Sequence, residues 1–150
     1  MKFISSNEYN KYKHFTINKG DIVTACSGGS WGKSAIFDSE EKIILNTSTL
    51  RLRYFNDLAL NKHLYYVSKT KFFKNQLSKH STGQQPNYGY FHYSQIEIPL
   101  PPVEIQYKIV EKIELMESEC NKLIVKYKSE LINLEELKKS ILEKAFSGHL

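Results

Sequence analysis

Cysteine is scarce in this chain. There are two in 150 residues, Cys26 and Cys120, too few for a disulfide framework. Neither stands at metal-ligand spacing from another Cys or His. The five histidines, His14, His63, His80, His92 and His149, are scattered without an i, i+4 pair, so no metal and no cofactor is expected. No apolar run approaches the roughly 18 residues of a membrane span. The opening Met1-Lys2-Phe3-Ile4-Ser5-Ser6 turns polar too early for a secretory leader. The expectation is a soluble, cytoplasmic protein that makes no use of a membrane. No Ser or Cys lies in a nucleophile-elbow pattern, and the carboxylates gather in the last third, where helix flanks account for them. The chain does not read as an enzyme.

Against these absences stands ample core material, 41% hydrophobic and 13% aromatic, which excludes wholesale disorder. Charge is unevenly divided about the patch Ile96-Glu97-Ile98-Pro99-Leu100-Pro101-Pro102. Residues 1–95 carry 13 Lys and Arg against 6 Asp and Glu, a surplus of +7, while residues 96–150 carry 8 against 10, or −2. Only the first region has the balance of a surface that faces a polyanion.

That first region reads as short strands and helices separated by Gly, Ser and Asn. Residues 21–26 are β-rich and stop at Ser27-Gly28-Gly29; 34–37 and 42–45 follow as short strands. Residues 47–53 alternate, setting Leu50 and Leu52 on one face and Arg51 and Arg53 on the other. Residues 58–67 and 71–79 look helical. The run 81–89 consists largely of turn formers and is expected to be an exposed loop.

Beyond Pro102 there is no Pro or Gly until Gly148. Ile109, Ile113, Met116, Cys120, Leu123, Tyr127, Glu130, Leu134, Leu137 and Ile141 recur at alternating spacings of four and three, and only Glu130 breaks the apolar series. Sustained heptads flanked by Glu and Lys mark a coiled-coil seam. A rod of roughly 40 residues is about 60 Å long and cannot bury such a seam on a small domain, so a partner helix is expected. The fold class is α+β: a small mixed α/β domain over 1–98, then one long coiled-coil helix over 99–150.

Ser27-Gly28-Gly29-Ser30-Trp31-Gly32-Lys33-Ser34 approaches the phosphate-loop pattern, with Ser27 in place of the leading Gly. A phosphate loop must open a helix, whereas residues 35–38 look like strand. The expectation is a Gly-rich hairpin loop that carries Trp31 and Lys33 outward. Basic and amide side chains give the positive signal for nucleic acid. Arg51, Arg53, Lys69, Lys71 and Lys74 suit phosphates, and Arg53, Gln84, Gln85 and Asn87 have the donor and acceptor sets that read base edges. Tyr88 is a candidate contact as well, although aromatics such as Tyr88, Tyr90, Phe91, His92 and Tyr93 are more often core.

With these residues in view, the chain resembles the specificity subunit of Type I restriction-modification systems. Ile98-Pro99-Leu100-Pro101-Pro102-Val103-Glu104-Ile105-Gln106-Tyr107-Lys108-Ile109-Val110 is similar to the family's junction I-P-L-P-P-x-x-E-Q-x-x-I-V. Ile105 stands where the family usually has Glu, and Gln106 is kept. The closing Lys139-Ser140-Ile141-Leu142-Glu143-Lys144-Ala145-Phe146-Ser147-Gly148-His149-Leu150 is similar to K-x-I-L-x-x-A-F-x-G-x-L. Lys19-Gly20-Asp21, Gly32-Lys33-Ser34, Asn46-Thr47-Ser48, Leu64-Tyr65-Tyr66 and Gly83-Gln84-Gln85-Pro86-Asn87 fit the punctuation of a target-recognition domain. The resemblance implies non-catalytic reading of double-stranded DNA. It also implies recruitment of modification subunits that methylate adenine, and of restriction subunits. A full subunit holds two recognition domains apart on two antiparallel helices, so one domain and one helix correspond to half of it. Two copies pairing as an antiparallel homodimer would rebuild that layout. Family domains carry a further segment before the part that residues 1–21 match, so the recognition domain is expected to be N-terminally truncated. An assembly or decoy protein that pairs without reading DNA is the alternative.

Overall fold

The computed structural model describes residues 4–53, 60–79 and 87–148. The chain divides into two compact units, residues 1–110 and 111–150.

The first unit opens with helix α1 (Ser6–Tyr12), an element the hydropathy pattern does not announce. A capping box starts it: the Glu8 amide donates to Ser5 Oγ at 3.3 Å, and the Ser5 amide donates to the Glu8 carboxylate at 3.1 Å. Strand β1 (Thr16–Ile17) pairs antiparallel with β4 (Ile43–Ile44). Strand β2 (Ile22–Ala25) lies at the centre of a three-stranded antiparallel sheet, between β3 (Ser34–Ile36) and β5 (Thr49–Leu52). Its register sets Ile22 opposite both Ile36 and Leu52, and Thr24 opposite Leu50. One face of the sheet is therefore apolar, and Ile22 and Thr24 are fully buried beneath it. Leu50 and Leu52 share that face, while Arg51 lies opposite Val23 on the other.

Helices α2 (Asn61–Ser68) and α3 (Lys71–Ser78) follow, the second capped by the Thr70 hydroxyl, which accepts the Phe73 amide at 3.2 Å. Phe73 and Leu77 point from α3 into the core beside Tyr88. Trp31, Leu52, Val67, Tyr93, Ile96 and Ile98 pack around them. Burying each large apolar side chain here is worth about 1.5–3 kcal/mol. Gln76 fastens the chain after helix α4 (Tyr90–Ser94) to α3: it donates to the Glu97 carbonyl at 2.7 Å and accepts the Glu97 amide at 3.0 Å.

Tyr88 corrects an expectation. Only Asn87, Tyr88 and Gly89 of the 81–89 run are described, and Tyr88 is 1% exposed, not part of an open loop. Its amide donates to the Cys26 carbonyl at 2.8 Å, which draws the ring inward over Trp31.

Helix α5 (Val103–Phe146) is 44 residues long, about 66 Å at 1.5 Å per residue. Its first turns belong to the first unit. Gln106 is fully buried there, donating to the Pro101 carbonyl at 2.8 Å and accepting the Leu60 amide at 2.9 Å. The second unit is the rest of this helix. Leu115, Met116, Leu123, Ile124, Val125, Tyr127, Leu131, Ile132, Leu134, Leu137 and Ile141 are each roughly half exposed or more. Lys122–Glu119, Lys126–Glu130 and Lys139–Glu143 pairs line its polar faces. Among the described residues, no helix is long and apolar enough to cross a membrane.

Candidate nucleic-acid interface

The segment linking β2 to β3 forms the centre of the site. Gly28, Gly29 and Ser30 make a single 3-10 turn, and Gly28 and Gly32 take positive φ, +71° and +68°, which L side chains rarely adopt. The Gly32 amide donates to the Ala25 carbonyl at 2.8 Å, and the Ala25 amide to the Lys33 carbonyl at 3.0 Å, closing the hairpin. Residues 34–36 continue as strand, so the loop does not open a helix and lacks the amide cradle of a phosphate loop.

Trp31 does not point outward as expected. It is half-buried, with its ring 5.0 Å from that of Tyr88 and tilted by 50°, because burying both rings gains more than exposing either. Lys33 is exposed. The buried Gly32 brings a second cation to the loop: a Cβ at this position would meet Lys74 Cγ at 3.8 Å, so the aliphatic stem of Lys74 lies over the glycine. Lys71, exposed on the first turn of α3, is one turn from Lys74 on the same helix face. Asn87, also exposed, is held opposite Ser27 by an isolated β-bridge. Lys33, Lys74 and Asn87, distant in sequence, thus gather around one Gly-rich loop, with Lys71 a turn from Lys74 along α3. Among the described residues, no carboxylate pairs with any of these lysines. Gln84 and Gln85 lie outside the described residues.

Two other candidates have a different use. Arg53 reaches Asp21 through Nε at 3.2 Å and Nη2 at 2.8 Å, and Arg51 donates to the Thr16 carbonyl while sitting 3.6 Å from the same carboxylate. Asp21 is buried, 4% exposed, and also accepts the Asn18 amide at 2.9 Å. A buried carboxylate requires such partners. The two guanidiniums therefore brace the sheet against residues 16–21, and Arg53 has less of its donor fork left for a base than its sequence position suggests. Tyr88, at 1% exposure, is a core residue and not a surface contact.

Three features have no signal in local sequence patterns. Asp21 acts as the anchor of both arginines. Tyr90 and Phe91 are 78% and 67% exposed, although aromatics in this run are expected to pack. Tyr90 also borders a cavity of about 430 Å³, lined by Leu50, Arg53, Phe73 and Tyr93 among others. Burial raises the Tyr93 hydroxyl pKa, and that hydroxyl stays within 3.3 Å of Thr24 Oγ1 and 3.4 Å of the Ala25 carbonyl. Burial likewise raises the Cys26 thiol pKa, leaving it a poor nucleophile. Among the described residues, no group of three or more His, Cys, Asp or Glu could hold a metal. Cations about a loop, one exposed amide and nearby exposed aromatics can bind a phosphate backbone and touch base edges.

Comparison with known proteins agrees with this chemistry. Residues 1–142 match the family model of the Type I restriction modification DNA specificity domain. The type I restriction enzyme MjaVIII specificity subunit of Methanocaldococcus jannaschii is 27% identical over 155 residues, covering 100% of this chain and 36% of the relative. A putative type I restriction enzyme specificity subunit of Haemophilus influenzae is 27% identical over 123 residues, covering 81% of this chain and 31% of the relative. The chain therefore spans about a third of the length of these curated relatives. With a matched region that runs through both the Gly-rich loop and most of α5, the chain belongs to the Type I restriction modification DNA specificity domain family.

Proposed function

We propose that this chain is a non-catalytic DNA-recognition module. It reads one half of a bipartite site through the surface around the Gly-rich loop, self-associates through α5, and recruits adenine-modifying subunits to the bound DNA. The observation that carries the reading is the convergence of Lys33, Lys74 and Asn87 on one loop of a family whose members specify DNA. The lysines supply affinity through phosphates, and Asn87 supplies sequence preference through its amide. The unpartnered apolar seam of the second unit supports self-association, which would present two such surfaces related by two-fold symmetry.

The test is duplex binding measured across a salt series, with and without modification subunits. Binding of the unaltered chain should weaken steeply with salt. The double variant Lys33→Ala/Lys74→Ala should lower affinity for all sequences and reduce the slope of log K against log salt by about 2, one for each phosphate that is no longer neutralised. Asn87→Ala should flatten the ranking of sequences while leaving the salt slope unchanged. A salt-independent or absent interaction with DNA, alongside a stable complex with modification subunits, would favour an assembly or decoy protein that does not read sequence.

A further inference from the structure

Residues 22–37, 60–79 and 87–96 carry the Gly-rich loop, helices α2, α3 and α4, and Asn87. Together they contain six lysines and no Asp or Glu. A face built from such segments suits a polyanion. Among its cations and amides stands a group of another kind. Phe91, on the first turn of α4, is 67% exposed. A single exposed apolar ring is ordinary on a protein surface, but this one is tied to the loop and held still.

The tie is a run of ring contacts. Trp31 lies 5.0 Å from Tyr88, Tyr88 stands edge-on to His92 at 5.8 Å, and His92 stands edge-on to Phe91 at 6.0 Å. The series passes from the half-buried Trp31 of the Gly-rich loop, through the buried Tyr88, to the exposed Phe91. The backbone beneath Phe91 is fixed as well. The Ser94 hydroxyl donates to the Phe91 carbonyl at 2.8 Å, and the Gly89 amide donates to His92 Nδ1 at 3.1 Å. Tyr93 Oη, 3.3 Å from Thr24 Oγ1, moors the same short helix to the sheet. A ring presented on so rigid a base loses little freedom when a ligand covers it.

In the major groove a base pair displays donors, acceptors and, at thymine, a C5-methyl group. A phenyl ring has no polar atom and reads only the methyl. Asn87, exposed four residues earlier, has the amide that pairs with adenine N6 and N7. Four residues span at most about 14 Å, so the two contacts fall within roughly half a helical turn of one another.

We infer that Phe91 is a specificity-determining contact of the DNA surface, packing on the C5-methyl of a thymine within half a turn of the adenine that Asn87 reads. The amide and the ring together select A·T pairs, one by hydrogen bonds and the other by apolar contact. This rests on the DNA reading proposed above.

The test removes the methyl and nothing else. The best-binding duplexes are selected from a randomised pool with the full chain, alone and with modification subunits. Each thymine of a selected duplex is then replaced in turn by deoxyuridine, which keeps every donor and acceptor. For the unaltered chain, one such replacement in a half-site should weaken binding about fourfold, as expected for the loss of one buried methyl-sized group. Phe91→Ala should bind the thymine and deoxyuridine duplexes equally, with the salt slope and the urea midpoint unchanged. Phe91→Leu, which restores an apolar contact, should recover a preference for thymine. Tolerance of deoxyuridine at every position would overturn the inference and leave DNA reading standing. A thymine preference that survives in Phe91→Ala, or that is lost in Tyr90→Ala instead, would do the same. Equal weakening of all duplexes by Phe91→Ala, with loss of a bend in the bound DNA, would overturn it in favour of a wedge between base steps. A pool that yields no preferred duplex would remove the DNA reading itself, and this inference with it.

Discussion

His63 is held on α2 at 3% exposure, with no hydrogen-bond partner for Nδ1 among the described residues. Burial disfavours the imidazolium and lowers its pKa below the ordinary 6.5. The sign of the linkage follows. The unfolded chain takes up a proton near pH 6.5 and the folded chain only at lower pH, so stability is whole above about 6.5 and declines as pH falls through and below that value. Thermal melts at about pH 7.5 and pH 5 should show a steeper acid loss for the native chain than for His63→Leu; parallel losses would place the sensitivity elsewhere. Nothing in the neighbouring sequence distinguishes His63 from the other four histidines, because its burial is made by residues distant in the chain. The same holds for Asp21. Alternation from Leu50 to Arg53 shows which face the arginines take, but their shared carboxylate lies some thirty residues earlier, beyond the reach of any local pattern.

Elements are legible in the sequence where period and punctuation agree. Strands β2, β3 and β5, helices α2 and α3, and above all α5 lie where alternation, turn residues and heptads indicate. Helix α1 escapes such a reading because it has no buried residue to produce an apolar stripe. Its one local sign, Ser5 followed three residues later by Glu8, is a capping box that carries no hydropathy. Trp31 and Tyr88 depart from expectation for a related reason: turn-forming neighbours suggest exposure, while a long-range bridge folds both rings inward. Gln106 shows how one side chain joins elements. Its amide spans from the Pro101 carbonyl, before α5, to the Leu60 amide at the start of α2, and it is fully buried. Gln106→Ala strands both backbone groups away from water and should cost about 1–3 kcal/mol for each group left unsatisfied. Urea unfolding followed by circular dichroism checks this, and a shift in midpoint corresponding to well under 1 kcal/mol would show that water replaces the amide there.

At the scale of the whole molecule, the proposed recognition surface lies within the first unit, and the exposed heptads of the second unit are where the proposed self-association would bring two such surfaces together. An antiparallel pair that sets Leu123 of one copy against Leu134 of the other does so in two equivalent layers. A single charge in either layer enters an apolar seam without a partner, so Leu123→Glu alone and Leu134→Lys alone should each weaken association by about 3 kcal/mol or more. Mixing the two variants sets the new carboxylate against the new ammonium in one layer and leaves two leucines in contact in the other. Association should therefore return in the mixture as a mixed dimer while each variant alone stays monomeric, which light scattering and native mass spectrometry read directly. A parallel pair predicts no such recovery, since the substituted positions would then face unaltered leucines in both layers. Equal behaviour of the mixture and its components would thus remove the antiparallel layout, and with it the expectation that two half-sites are read at a spacing set by α5.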